Sequence, residues 1–412
     1  YQRFKEIQLQ QSDKMVDFKQ AKYALNERLS ALNHLLNNKM YGAVETNISC
    51  EKWLLTHQPF HWLAEFYEII NEHGGFDVII GNPPYVEISK NKIEYSLSAE
   101  YKFKDLYAYV LVRAISLAKH KDRIGFIIPI SFNSTPNFKK LFDLYSREST
   151  LYMSSYSDTA KIFAITKRLS IIIRTPGIEK VFTTKYIRLN STMQNRLAEG
   201  GYQQITFATS LNTIYPKVSS KIAISIINKI KTLSNIILGT LEVKEGIELN
   251  FTRSIRNFRA FYLFKPFHRT KDGHKKIPTE LKSLRFDDRY KYPIAAILNS
   301  NLTFELLNWY TDVRNVNPGF IRCIPIQRDI LINEKFNNLV KSLMHDYQKN
   351  KEERLNTTTK CYESYYYPVK SKPIIDEIDK VLARHYGFTE EELDFIINYD
   401  IKYRMGDELN EE

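Results

Sequence analysis

Between residues 76 and 175, short apolar runs without polar alternation recur between amphipathic stretches, and few folds accept that pattern. FDVIIG (76–81) is β-branched, apolar and closed by glycine and prolines, which predicts a buried strand. DLYAYVLVRAISLAK (105–119) places Leu106, Tyr109/Val110, Arg113/Ala114 and Leu117 at helical spacing. RIGFIIPISF (123–132) predicts a second buried strand and NFKKLFDLYSR (137–147) a helix; TLYMSSY (150–156) and RLSIIIRT (168–175) predict two further strands. Strands that are apolar throughout leave neither face to water. Alternating with helices, they predict an α/β fold with a largely parallel sheet covered on both sides.

The flanks read differently. Lys14 to Met40 carries Phe18, Ala21, Leu25, Leu29, Leu32 and Leu36 at helical spacing, and KWLLTHQPFHWLAEFYEIINEHGG (52–75) predicts a second helix ending at Gly74–Gly75. In that helix His61, beside Trp62, reads as a packed neighbour. Beyond about residue 186 the alternation stops. Segment 215–240 reads as helical, 241–267 as β-rich, and 292–312 as a strand followed by a helix. At the end, Pro373 opens a helix whose Ile374, Ile378, Val381 and Leu382 share one face, and Gly387 closes it. Thr389 with Glu392 has the spacing of a capping box, and Phe388 with Leu393 that of a hydrophobic staple. The expected domains are 1–74, 75–185, 186–372 and 373–412.

Composition narrows the classes. Of 412 residues, 43% are hydrophobic and 26% charged, too apolar for a disordered chain. Apolar runs fall far short of the ~20 residues of a membrane span. No export leader is evident, so a reducing cytoplasm is the expected setting. Cys50, Cys323 and Cys361 are widely spaced and odd in number, which fits neither a disulfide framework nor a zinc site. The net charge of +12 favours a polyanionic partner, nucleic acid first.

One motif stands out: Asn82-Pro83-Pro84-Tyr85, directly after FDVIIG. With proline near 5% of residues, a polar-Pro-Pro-aromatic match arises by chance in roughly one chain in a hundred of this length. It sits at the carboxyl end of a strand, where open parallel sheets bind ligands. An exocyclic amine is a poor nucleophile because its lone pair is delocalised into the ring. Two acceptors aimed at its N–H groups, the Asn82 side-chain oxygen and the Pro83 carbonyl, favour the pyramidal, attacking form. The prolines fix φ and bring no N–H, so those carbonyls stay uncommitted. Tyr85 offers a π-face to a planar ring taken out of its duplex. The plain structural alternative is a Pro-Pro turn capping a strand.

With FDVIIGNPPYV, LYAYVLVRAISLAK, DRIGFIIPISF and IFAITKRLSIII, the chain resembles the adenine-N6-specific DNA methyltransferases of the large type II (type IIG-like) restriction-modification group. The resemblance implies part of a class I (Rossmann-like) methyltransferase sheet, a helical N-terminal segment and a mixed α+β C-terminal DNA-recognition domain. It implies methyl transfer from S-adenosylmethionine to adenine N6 in double-stranded DNA, by direct displacement without metal or covalent intermediate. NPPY is that family's amine-binding motif, and Phe163 stands where the family often places a second aromatic against the flipped base. LNSNLTFELLNWYTDVRNVNPGFIRCIPI (298–326), which includes Arg314, looks like part of the family's target-recognition domain. SKPIIDEIDKVLARHYGFTEEELDFIINYDIKYRMG looks like its C-terminal ending.

Two family features have no counterpart here: a Gly-rich turn after the first strand of the sheet and an acidic residue after the second. Glycine is scarce (14 residues) and the first residue is Tyr. The expectation is therefore a C-terminal portion or one half of a split enzyme. A missing N-terminal half or a partner chain would supply the cofactor pocket, leaving only Asn82 and the Tyr107 region here to contact S-adenosylmethionine. RSIRNFRAFYLFKPFHRTKDGHKK (253–276) interleaves Arg253, Arg256, Arg259, Lys265, His268 and Arg269 with aromatics; with Arg314 these are the candidate DNA contacts. The alternative readings are a recognition module without its own catalysis, a methyltransferase acting on RNA guanine or protein glutamine, and a nuclease built on Glu242-Val243-Lys244.

Overall fold

The computed structural model describes residues 2–9, 15–44, 46–90, 100–157, 167–188, 201–253 and 258–405. They fall into two compact units, Tyr1–Ile128 with Ile172–Ile178, and Pro129–Ile171 with Glu179–Glu412, so the expected 75–185 region contributes to both. The architecture is mixed α/β.

The first unit opens with α1 (Gln2–Leu9) and α2 (Met15–Gly42). Along α2, Phe18, Ala21, Leu25, Leu29 and Leu36 are half-buried, whereas Leu32 of the same stripe is exposed. The single helix expected over 52–75 is broken into α3 (Cys50–His57), α4 (Trp62–Glu65) and one π-helical turn at Glu68–Glu72. The break is steric. Gln58 precedes Pro59, whose ring disfavours the α conformation before it, and Gln58 turns left-handed at φ 43°.

Six strands build the α/β part: β1 (Phe76–Gly81), β2 (Ala118–Pro129), β3 (Ser149–Tyr156), β4 (Leu169–Pro176), β5 (Lys180–Ile187) and β6 (Gln203–Ile205). In the first unit the order is β1-β2-β4. β1 and β2 are parallel, in register at Ile79↔Ile124 and Gly81↔Phe126, and α5 (Leu106–Leu117) forms the crossover that a parallel pair requires. Buried Asp122 of β2 pairs with Arg174 of β4. The expectation of a buried β1 fails. It is the outermost strand in the order, with Val78 55% and Ile80 78% exposed. An apolar run fixes the strand but not its place in the sheet.

The chain enters β1 through Gly74 (φ +74°) and Gly75 (φ +121°). A Cβ on Gly75 would lie 2.6 Å from the Leu117 carbonyl oxygen, where α5 passes into β2. Gly75→Ala combines this clash with a disfavoured φ, and should destabilise the first unit by roughly 1–3 kcal/mol. Chemical denaturation checks this, and an unchanged midpoint would contradict it.

Within the second unit β3, β5 and β6 follow in that order, with β3 and β5 parallel and β6 antiparallel to β5. No strand is expected at 180–187, where the Lys/Thr-rich β5 forms. α6 (Lys139–Ser146) packs on β3. Asn133, Ser155 and Ser170 bond one another in the interior at 3.1–3.3 Å.

The rest of the unit starts with α7 (Lys221–Leu233), β7 (Ile236–Ile237), β8 (Glu242–Thr252), β9 (Phe261–Tyr262), β10 (His268–Thr270), β11 (Lys275–Lys276) and β12 (Leu281–Phe286). Then come α8 (Lys291–Asn299), α9 (Asn301–Tyr310), α10 (Pro318–Arg322), β13 (Pro325–Ile326), α11 (Lys335–Lys349), β14 (Glu352–Asn356) and β15 (Cys361–Tyr365). Helices α12 (Lys372–Tyr386), α13 (Glu390–Asn398) and α14 (Ile401–Met405) follow. The strands make sheets ordered β12-β8-β9, β11-β10-β15-β14 and β13-β7. The strand expected at the start of 292–312 is helix α8. Its residues Pro293 to Asn299 are all buried, and an apolar run buried all round looks the same as a core strand in sequence.

Two buried carboxylates tie the helices together. Asp379 of α12 accepts from the backbone N–H of Asn301 (2.9 Å) and Leu302 (3.1 Å) and from the Asn301 side chain (2.8 Å), at the start of α9. Glu392 closes the expected capping box with Thr389 and also accepts from Ser225 and Lys229 of α7, both at 2.6 Å. Gly387 ends α12 in the left-handed conformation, φ +58°, as expected. Among the described residues no helix is long and apolar enough to cross a membrane.

Candidate active site

The motif leaves β1 at Gly81, which pairs with Phe126 of β2. Asn82 and Pro84 are exposed, Pro83 is buried and Tyr85 is half-buried. The Tyr85 hydroxyl donates to the Ile127 carbonyl of β2 at 2.8 Å. Burial pushes its phenol up to about 12, so it stays a neutral donor throughout the ordinary pH range. That bond fixes the ring plane against the neighbouring parallel strand. Beyond it, Leu106 N–H donates to Val86 O (2.9 Å) and Ile88 N–H to Lys104 O (2.8 Å), stitching the segment to the lead into α5. The motif is thus held at both ends. Among the described residues the Asn82 amide makes no hydrogen bond, leaving its oxygen available to an incoming donor.

The other expected residues are scattered. Tyr107 has no exposed surface and lies in the core of the first unit, so it is not a contact open to a cofactor. Phe163 and Arg256 lie outside the described residues. Arg259 is 5% exposed and cannot reach a phosphate, which corrects its assignment as a DNA contact. Arg253 and Arg314 are exposed. Lys265 is exposed 4.0 Å from Glu248 of β8, and His268 is half-buried, with desolvation lowering its pKa. Arg269, on β10, pairs with Glu353 of β14 at 2.6 Å and lies 5.4 Å from the Tyr362 ring centroid. The described part of the basic stretch therefore does not present all of its cations to solvent. Sequence spacing missed this because strand pairing, not chain order, decides which cations meet.

Glu242 of the candidate nuclease triple is held by both sides of the Arg322 guanidinium (2.5 and 2.9 Å), which leaves it a poor metal ligand. Among the described residues one group has metal-ligand spacing, Glu68, Glu72 and His73, but Lys5 already sits 2.8 Å from both glutamates.

Among the described residues no cradle for S-adenosylmethionine is formed. Gly75, the glycine before β1, is filled on its Cβ side by backbone of α5 and β2 and forms no cradle for a ligand. β1 has no described neighbour on its outer side that could carry a Gly-rich turn or an acidic residue.

Residues 7–163 match the family model described as Eco57I restriction-modification methylase, and in that stretch the chain is similar to restriction-modification methylases. A putative type II restriction enzyme and methyltransferase from Methanocaldococcus jannaschii is 36% identical over 101 residues, 23% of this chain and 8% of the relative. The chain thus spans a small part of that relative's length. Among solved structures, a DrdV–DNA complex aligns over 33% of this chain and 18% of that one, at 15% identity and TM-score 0.27. A nuclease-deletion mutant of the Type ISP restriction-modification enzyme LlaGI with a DNA substrate mimic aligns over 37% and 19%, at 15% identity and TM-score 0.28. Likeness of that size carries no argument about this chain.

Proposed function

We propose that this chain is the amine-binding and DNA-recognition portion of a site-specific DNA methyltransferase of a restriction-modification system, acting on adenine N6. The observation that carries this reading is the exposed, uncommitted Asn82 at the carboxyl end of a parallel strand, followed by two prolines and a Tyr85 pinned to the next strand. Asn82 Oδ1 and the Pro83 carbonyl accept from the two N6 hydrogens of an adenine turned out of its duplex. Tyr85 stacks on the ring, and its hydroxyl bond keeps the ring plane fixed. S-Adenosylmethionine is the methyl donor of the whole enzyme, held by an N-terminal half or partner chain that completes the sheet beyond β1. The exposed Val78 and Ile80 on that edge support this arrangement.

The same open edge favours one second reading, a recognition module whose own catalysis is absent. Two measurements separate them. Modified-base sequencing of DNA from a host expressing the complete gene should find N6-methyladenine at one recurrent sequence, and unmodified DNA would sink the enzyme reading. Calorimetry on this chain alone should find no tight S-adenosylmethionine binding, and tight binding would sink the divided-pocket reading.

A further inference from the structure

The strand order of the second unit brings together cations and an aromatic that are far apart in the chain. In the four-stranded sheet, Lys275 of β11 pairs with Arg269 of β10, Arg269 with Tyr362 of β15, and Tyr362 with Leu355 of β14. Directly paired residues share a face of the sheet. All four are exposed, Tyr362 at 36% and Leu355 at 45%, so the row lies on an open face. With strands about 4.8 Å apart the row spans roughly 14 Å. That exceeds the roughly 12 Å width of the major groove of B-DNA, which admits a two-stranded antiparallel ribbon, so two strands can enter while the other two lie over one flank. The β10–β11 hairpin carries four cations, Arg269, Lys271, Lys275 and Lys276, against Asp272. The neighbouring β14–β15 hairpin ends in a polar, exposed turn at 357–360. Its shape is set by Asn356, which accepts from Thr358 N–H (2.9 Å) and Thr359 N–H (3.1 Å).

The geometry points to this face as a duplex-DNA docking surface, in which the β14–β15 ribbon enters the major groove and Arg269 and Lys275, both on its β10–β11 side, hold the phosphates of one flank. The β10–β11 hairpin supplies the cationic side, while strands β14 and β15 carry Glu352, Glu353 and Glu363 against Arg354, so phosphate is met at Arg269 and Lys275 and not along the ribbon. The inference rests on the methyltransferase reading for the identity of the polyanion. Glu353 holds Arg269 at 2.6 Å in the free chain, and the bound phosphate takes over that guanidinium. Sequence spacing hid the site, because Arg269 and Tyr362 meet only through strand pairing.

Fluorescence anisotropy with a labelled random-sequence duplex, over a series of salt concentrations, tests this on the full chain. Arg269→Gln with Lys275→Gln should weaken binding about tenfold and lower the salt slope by about 2, two phosphate contacts having been removed. Glu353→Gln should tighten binding, and Lys380→Gln, an exposed cation on α12, should change nothing. Circular dichroism confirms that each variant folds. Equal affinity and slope for the double variant, an equal loss in Lys380→Gln, or preference for single-stranded DNA or acidic vesicles over duplex would each overturn the assignment. Binding is read without turnover, so absent adenine methylation with the slope change intact would remove the enzyme reading and leave this surface standing.

Discussion

Asn82→Ala should lower adenine methylation by the assembled enzyme about 10²–10³-fold while duplex affinity stays unchanged. That is the scale on which removing one positioned polar group at a reacting centre acts. The loss should fall on turnover, because the acceptor matters most as the amine becomes pyramidal and its hydrogens acquire positive charge. Tyr85 separates into two effects. Tyr85→Phe keeps the ring and loses the bond to the Ile127 carbonyl, a positioning loss of about 1 kcal/mol. Tyr85→Ala also removes the stacking face, about 1–3 kcal/mol. Because the phenol is pushed up to about 12, tyrosinate formation contributes no pH dependence near neutrality. Single-turnover methylation and duplex binding, measured side by side, decide the matter. Asn82→Ala with full turnover, or with turnover and binding lost together, would contradict the assigned role.

Asp379→Ala should cost the second unit about 2–5 kcal/mol, from the two or more buried donors it leaves unpaired, visible as a lower denaturation midpoint. The side chain is fully buried, and its removal leaves the N–H groups of Asn301 and Leu302 without an acceptor at the start of α9. The pH dependence has a definite sign. Burial pushes the carboxyl up to about 7, against the N–H bonds from Asn301 and Leu302 that favour its charged form. The folded state therefore holds the proton more tightly than the unfolded one. Its contribution is full below about pH 4 and is lost as pH rises through 7. Asp379→Asn cannot titrate and should remove that part of the slope; an identical pH profile would rule Asp379 out as its source.

Much of the local structure was legible because its causes are local. β1 ends where its glycine and prolines say it should, α12 (Lys372–Tyr386) has Pro373 in its first turn and stops at Gly387, and the Thr389–Glu392 box forms both of its bonds. The NPPY motif was visible for the same reason, as its geometry follows from proline stereochemistry and the preceding strand. What was not legible depends on partners distant in the chain. FDVIIG reads as a buried strand because its composition says apolar, but only the strand order makes it an edge. Arg259 reads as a phosphate contact from its basic neighbours and is buried by the fold. YPIAAILN reads as a strand because all-round burial erases the helical period. The pairing of Arg269 with Tyr362 crosses 93 positions of sequence, and no local pattern encodes it.

Among the described residues no strand lies on the outer side of β1, which also bears on how the chain behaves at high concentration. Unpaired N–H and C=O groups along an apolar edge are a template for any strand that arrives, including one from another molecule. Natural edges are blunted with lysine, proline or a bulge; here the pairing with β2 shifts register between Phe76 and Val78 and Pro83-Pro84 follow the strand, but Val78 and Ile80 still face water between them. The site's position at the end of this strand therefore carries a colloidal cost: the backbone that aims Asn82 also offers an open edge to a strand of another molecule.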